Sequence, residues 1–170
     1  MNSDPVSNPP VWLVAHTRAR AEKQVARWAA REGFPAELPL YRTTHRYRGK
    51  TVTFAKPLFP GYVFLKAPAS RADKIVQCHQ VARVLVPPDP VEFDRQLGDI
   101  VAAVAAGLEM HPAPDVVAGV RVSITEGPLR GLEGWVEKRD GAHDVILRLD
   151  FIGQAAAVRL PTHAVERVGS

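Results

Sequence analysis

KPLFPGYVFLKA, residues 56–67, is the stretch on which the reading of this chain turns. Pro57 and Pro60 bracket Leu58 and Phe59 and stiffen the backbone on either side. Gly61 then frees the chain before an apolar run from Tyr62 to Leu65 that reads as a strand. Side chains alternate across a strand, so Tyr62 and Phe64 share one face while Val63 and Leu65 share the other. One pair can pack inward while the other is presented outward, and the sequence leaves open which is which.

Upstream, Tyr41–Tyr47 and Thr51–Ala55 are rich in Tyr, Thr, Val and Phe, and Arg48-Gly49-Lys50 between them supplies a turn glycine. This pattern predicts a β-hairpin with a basic tip. Val11–His16 reads as a short strand, followed by a helix over Ala19–Glu32 that ends at Gly33, a residue suited to a left-handed C-terminal cap. Along that helix Ala21, Val25, Trp28 and Ala29 share one side, and Arg20, Lys23, Arg27 and Arg31 recur on another. The cationic side suits either nucleic-acid contact or an ordinary solvated face.

Downstream, Ser70 is placed to cap a short helix reaching about His79. Ala82–Val86 follows as a strand, and Phe93–Ala106 as a longer helix closed by Gly107. Periodicity stops between residues 108 and 118, where Pro112 and Pro114 make an extended stretch that reads as a flexible interdomain linker. Beyond it, Val120, Val122 and Ile124 alternate with polar residues. Segments at Trp135–Lys138, Asp144–Leu149, Ala155–Leu160 and Ala164–Arg167 complete five short strands, with Asp140-Gly141 as one turn. The expected architecture is α+β: a disordered tail over 1–10, an N-terminal α/β sandwich with an antiparallel sheet over 11–107, the linker over 108–118, and a five-stranded SH3-like β-barrel over 119–170. In so small a barrel Trp135, Ile124, Val136, Ile146 and Leu149 are expected to carry much of the core.

The 170 residues carry a net charge of +4, but residues 16–56 hold ten Lys or Arg against three Glu, so the rest of the chain is slightly acidic. Such an asymmetry suits a phosphate-facing surface on one part of the molecule, or a solubilising one. The single cysteine, Cys78, excludes an internal disulfide and a multi-cysteine zinc site. No apolar run approaches the roughly 18 residues of a membrane span, and the first ten residues lack a signal pattern. These features lead to the expectation of a cytoplasmic monomer without a membrane anchor.

The turn-and-strand motif at 56–67, together with Gly119–Val136 (GVRVSITEGPLRGLEGWV), resembles the NusG family, in which an N-terminal NGN domain is tethered to a small KOW barrel. The resemblance runs from Val11 to Val168 and implies a transcription elongation or antitermination factor that reduces pausing or termination. It implies docking on the clamp helices of the largest RNA polymerase subunit through Trp12, Phe59, Tyr62 and Phe64. Arg48-Gly49-Lys50 followed by Pro57-Leu58-Phe59-Pro60 looks more like the specialised RfaH-like branch. That branch contacts the non-template DNA strand, and the likeness implies Arg18 as a contact, with Arg20, Lys23, Arg27, His79 and Gln80 nearby and His16 or Trp28 as stacking groups. Gln24 and Trp28 depart from that branch's basic or imidazole groups, and its histidine-threonine contact is not visible near Arg71–Asp73. In the barrel, Asp150–Gln154 resembles the loop that contacts a small-subunit ribosomal protein or the termination factor Rho, which implies Phe151 and Ile152 as partner-binding residues. Strand alternation would send one of those two into the core. The β-type composition of 120–125 and 145–149 gives little support for a barrel that refolds into helices.

The other function classes find less in the sequence. The six histidines are scattered, with no pair at helical metal spacing, and the glycine-rich stretch 127–134 lacks the Gly-Lys-Ser/Thr ending of a phosphate loop. No catalytic residue, metal site or cofactor is expected. The competing function is a KOW-type RNA-binding or ribosome-associated protein, in which the basic helix grips RNA and the aromatics are core.

Overall fold

A computed structural model of the chain describes residues 9–113, 120–139 and 142–168. Most of the expected N-terminal tail, residues 114–118 of the expected linker and the Asp140-Gly141 turn lie outside the described residues. In chain order the elements are β1 (Val11–Thr17), α1 (Glu22–Arg31), β2 (Ala36–Glu37), β3 (Leu40–Tyr47), β4 (Lys50–Pro57), β5 (Tyr62–Ala67), α2 (Ala72–Val76) and β6 (Val81–Leu85). They continue with α3 (Pro90–Ala105), β7 (Met110–Ala113), β8 (Val120–Ile124), β9 (Glu133–Arg139), β10 (Ala142–Leu149), β11 (Gln154–Pro161) and β12 (Val165–Arg167). The fold is α+β, and every strand pairing is antiparallel.

The chain divides into two compact units, residues 1–38 with 60–94 and residues 39–59 with 95–170. These units cut across the division read from the sequence: the hairpin β3–β4 and α3 from Arg95 onward group with the C-terminal strands.

The first unit is built on a four-stranded sheet in the order β2-β5-β1-β6. The apolar composition of β1 and β5 reflects their central positions. Leu13, Ala15, Val63, Leu65 and Ala67 point to one face and form a core with Val25 and Ala29 of α1, Ile75 of α2, and Phe34, Cys78 and Val81. Helix α1 starts later than the sequence pattern predicts because Arg20 adopts a left-handed φ of 61°, which a helix cannot continue through. It ends as expected: Gly33 has φ 82°, and the N–H of Phe34 reaches the carbonyl of Ala29 at 2.9 Å. Ser70 does not stand at a helix N-cap position. Pro68 leads into a single 3-10 turn over Ala69–Arg71, and Arg71, without a side-chain cap bond, precedes the five-residue α2. Helix α3 begins three residues before the expected Phe93, because Pro90 suits a first helical position and the Asp89 carboxylate accepts the Glu92 N–H at 3.1 Å.

In the second unit β3 and β4 form a sheet of their own, and the remaining strands form a six-stranded sheet in the order β12-β8-β9-β10-β11-β7. The five expected strands are all present. The sixth, β7, corrects the reading of 108–118 as wholly unstructured linker, since Met110–Ala113 pairs with Ala155–Val158 of β11. Pro112 obscured this strand, yet an edge strand tolerates a residue that lacks an N–H. The pairing is reinforced at Asp144, which is fully buried with Arg159 Nε at 3.4 Å and the Nε2 of His111 in β7 at 3.6 Å.

Ile124, Ile146 and Leu149 are buried as expected. Trp135 and Val136 are half-buried; the indole packs against the core cluster of Ile146, Ala155 and Ala157, and the Arg148 guanidinium lies over its ring, 3.8 Å from the centroid. Gly134 lies where neighbouring strands leave no room for a side chain. A Cβ there would sit 2.7 Å from the Ile146 carbonyl oxygen and 2.7 Å from Val145 Cγ1. Backbone in the middle of a sheet cannot yield cheaply, so Gly134→Ala is expected to lower stability by about 1–3 kcal/mol, read from the urea midpoint of the full chain.

Candidate functional site

The register of the first sheet assembles most of the expected aromatic patch. Opposite the helix-covered face, β1 and β5 present three cross-strand pairs in a row: Trp12 with Lys66, Val14 with Phe64, and His16 with Tyr62. The centre of the row is closed. Phe64 is fully buried and packs against Phe93 of α3, with ring centroids 5.8 Å apart.

The two ends of the row are half-exposed. At one end the Lys66 ammonium lies 5.3 Å from the Trp12 ring centroid, and the indole Nε1 donates to the Asp94 carboxylate at 2.8 Å. At the other end His16 and Tyr62 stack, 5.1 Å apart with 26° between planes. Gly61 backs this stack. Its φ of 88° excludes ordinary side chains, and a Cβ there would stand 3.6 Å from the imidazole. The turn is tied down by two bonds, from Thr17 N–H to the Gly61 carbonyl at 2.8 Å and from Gly61 N–H to the Glu22 carboxylate at 3.2 Å.

Two of the four expected polymerase-contact residues therefore do not present their side chains. Phe64 is 0% exposed and Phe59 is 1% exposed. Phe59 is held in a chain reversal that closes the base of the hairpin, where Leu58 N–H bonds to the Pro39 carbonyl at 2.9 Å. Trp12 and Tyr62 remain as the accessible pair. His16, expected among the nucleic-acid residues, stands in this aromatic row, because strand alternation points it away from α1.

The expected cationic residues gather around α1. Arg18, Arg20, Lys23 and Arg27 are all exposed. Arg18 is oriented by the loop before β6: its backbone N–H donates to the Gln80 carbonyl at 2.8 Å and its Nε to the His79 carbonyl at 2.9 Å. That loop and α1 enclose a cleft of about 380 Å³ that includes Arg27, Trp28, Arg31, His79 and Gln80. Its remaining lining is Gln24, Gln77 and Cys78, of which Gln77 carried no sequence signal. The indole of Trp28 is half-buried and tilted against Phe34, so it serves the core and the cleft wall at once. Cations, amides and an indole edge around an open cleft are chemically suited to phosphate and base contact.

Phe151 and Ile152 are both half-buried, and neither is sent into the core. Alternation does not apply, because Asp150–Ile152 forms a 3-10 turn ended by Gly153 at φ 62°. The turn is held from α3 by a reciprocal pair of bonds: Gln96 Nε2 donates to the Asp150 carboxylate at 2.7 Å, and Asp150 N–H donates to Gln96 Oε1 at 3.0 Å. Gln96 was not apparent from the sequence, because a buried glutamine on a helix shows no pattern until its partner turn is located.

A family model described as "Transcription termination factor nusG" matches residues 10–99, a little over half of the chain. Among solved structures, a similar chain comes from the "Crystal Structure of MjSpt4:Spt5 complex conformation B". It is 17% identical, with 94% of this chain and 97% of that chain covered, at a TM-score of 0.29. No curated protein matches.

The aromatic row makes its own prediction about stability. Phe64→Ala is expected to cost about 3–5 kcal/mol, as for a large core truncation. Tyr62→Ala removes a half-exposed stacked ring and is expected to cost about 1 kcal/mol. Urea denaturation of both variants reads the difference.

Proposed function

The chain belongs to the NusG family, and from that membership we propose that it is a transcription elongation factor that binds RNA polymerase. In this reading the first unit docks on the clamp helices of the largest polymerase subunit, reduces pausing or termination, and acts in the cytoplasm without catalysis or a cofactor. The observation that carries the proposal is the open-ended aromatic row. Trp12 and the stacked His16–Tyr62 pair stand half-exposed on a sheet whose centre is locked by Phe64 and Phe93. Rigid aromatics of this kind offer large contact area at little entropic cost, the usual property of residues that dominate an interface. Charge at one end, from Lys66 over Trp12, adds a polar handle at the rim.

Around α1, the cations and the adjoining cleft support contact with the non-template DNA strand, with Arg18, Arg20, Lys23, Arg27, His79 and Gln80 as the proposed contacts. The RfaH-like assignment within the family rests on the sequence at 48–50 and 57–60. The C-terminal strands are proposed to act as a KOW module that recruits a small-subunit ribosomal protein or Rho through Phe151 and Ile152, the half-buried residues of the Gly153-terminated turn.

The same cationic cleft favours a second reading, a KOW-type RNA-binding or ribosome-associated protein. The two are separated by a pull-down of core RNA polymerase elongation complexes with wild type and with the Trp12→Ala, Tyr62→Ala double variant, both checked for folding by circular dichroism. The expected result is capture by wild type and at least tenfold weaker capture by the variant, equivalent to about 1.4 kcal/mol or more. If wild type captures no polymerase but co-sediments with ribosomes, the second reading replaces the first.

A further inference from the structure

The hairpin β3–β4 is a two-stranded sheet joined to no other strand, and every residue from Thr44 to Lys56 is exposed. Its turn is built for rigidity. The strands pair without a break from Leu40↔Pro57 to Tyr47↔Lys50, and the two connecting residues, Arg48 and Gly49, have φ of 47° and 78°. Positive φ at both loop positions matches the twist of the flanking strands. At its base Arg42 and Ala55 line a cleft with Glu109 and Met110, but toward the tip the ribbon is open, and there it exposes Tyr47 by 69% and Phe54 by 46%, large apolar side chains that an open ribbon ordinarily avoids.

Charge identifies what this ribbon suits. It carries Arg42, Arg46, Arg48, Lys50 and Lys56, and no acidic residue occurs between Glu37 and Asp73. The cross-strand register distributes these cations. One face carries Tyr41, Thr43, His45 and Tyr47 beside Lys50, Val52, Phe54 and Lys56. On the other face Arg42 and Arg46 stand opposite Ala55 and Thr51, and Arg48 occupies the tip. The aromatic face is preorganised by the His45–Phe54 ring contact at 5.8 Å and by the 3.1 Å contact between Thr43 Oγ1 and His45 Nε2.

A single strand stacked on the aromatic face would leave Arg42 and Arg46 pointing away from its phosphates. Cations on both faces and at the tip instead suit a ribbon with a phosphate wall on each side, the environment inside a groove. A ribbon of eight-residue strands reaches roughly 25 Å, and the B-DNA major groove, about 12 Å wide, admits two paired strands. The narrow major groove of A-form RNA does not.

We propose that the β3–β4 hairpin is an arm for double-stranded DNA, standing in the groove with Arg42 and Arg46 toward the phosphates of one wall, Lys50 and Lys56 toward those of the other and Arg48 at the tip, and with Tyr47, Val52 and Phe54 against the sugars on the lysine side. This site is separate from the α1 cleft and does not rest on polymerase docking.

The test is a fluorescence-anisotropy titration of the full chain, without polymerase, against a labelled 20-base-pair DNA duplex, single-stranded DNA and duplex RNA of the same length, and anionic phospholipid vesicles. Three proteins are compared: wild type, Arg46→Gln/Lys50→Gln/Lys56→Gln, and the charge-retaining Arg42→Lys/Arg46→Lys. Wild type is expected to prefer the DNA duplex. The glutamine variant should bind it at least about tenfold more weakly and lower the logarithmic salt slope by about 2 to 3, while the lysine variant stays close to wild type. Undiminished duplex binding by the glutamine variant overturns the proposal. So does a wild-type preference for single strands, RNA or vesicles, or equal loss in the lysine variant, which would indicate damage to the hairpin and not loss of charge.

Discussion

The antiparallel pairing of β1 with β5, in the register that sets Val14 opposite Phe64, is the constraint on which the first unit depends. Strand side chains alternate with a period of two, so this one register assigns Leu13, Ala15, Val63 and Leu65 to the helix-covered face. Trp12, Val14, His16, Tyr62, Phe64 and Lys66 fall on the other. A slip by one residue would exchange the two sets and place Tyr62 and a lysine in the core beneath α1. The turn before β5 guards against that slip. Pro60 and Gly61 fix where the strand begins, and Gly61 is bonded to both Thr17 and Glu22.

Both faces of this sheet are covered, but unequally. The helix-covered side is a continuous core across β1, β5, α1 and α2. On the other side, Phe93 reaches Phe64 from the first turn of α3, and the ends of the row remain half-exposed. The extent of coverage follows from the start of α3. The Asp89 cap and Pro90 set the helix beginning so that Phe93 sits within the first turn. Had the helix begun at Phe93, as its apolar periodicity alone indicates, that ring would have stood at the frayed end and buried Phe64 less firmly.

Strands and turns were legible in the sequence because their signals are local. The hairpin, the Pro-Gly turn, the Gly33 cap and all five C-terminal strands follow from alternation and from residues with special backbone preferences. What escaped were outcomes of competition between distant segments. Phe59 and Phe64 carry the same apolar signal whether they anchor a partner or fill a core, and only the position of Phe93 and the closure at Pro39 decide it. Strand β7 was hidden because Pro112 argues against a strand in isolation, and its edge position appears only once β11 is in place. Trp135 does pack against Ile146, Ala155 and Ala157, but the Arg148 guanidinium over its ring leaves it half-buried, and that partner appears only once β10 is in place. His16 was read as a stacking group, and its ring does stack, but on Tyr62 across the strand pair.

The same alternation bears on how the two proposed surfaces of the first unit are arranged. Helix α1 and its cleft lie on the Leu13–Ala15 side of the sheet, and the aromatic row lies on the reverse. A protein partner held by Trp12 and Tyr62 and a nucleic acid held near Arg27 and His79 would therefore be separated by the thickness of the sheet, with no shared contact residue. What joins the two sides is a short set of hydrogen bonds. Glu22 in the first turn of α1 holds Gly61 behind the His16–Tyr62 stack, and Arg18 at the end of β1 holds the loop carrying His79 and Gln80. Movement of α1 would pull on the turn that backs the aromatic stack through the Glu22–Gly61 bond, and on β1 and β5 through the core they share with the helix.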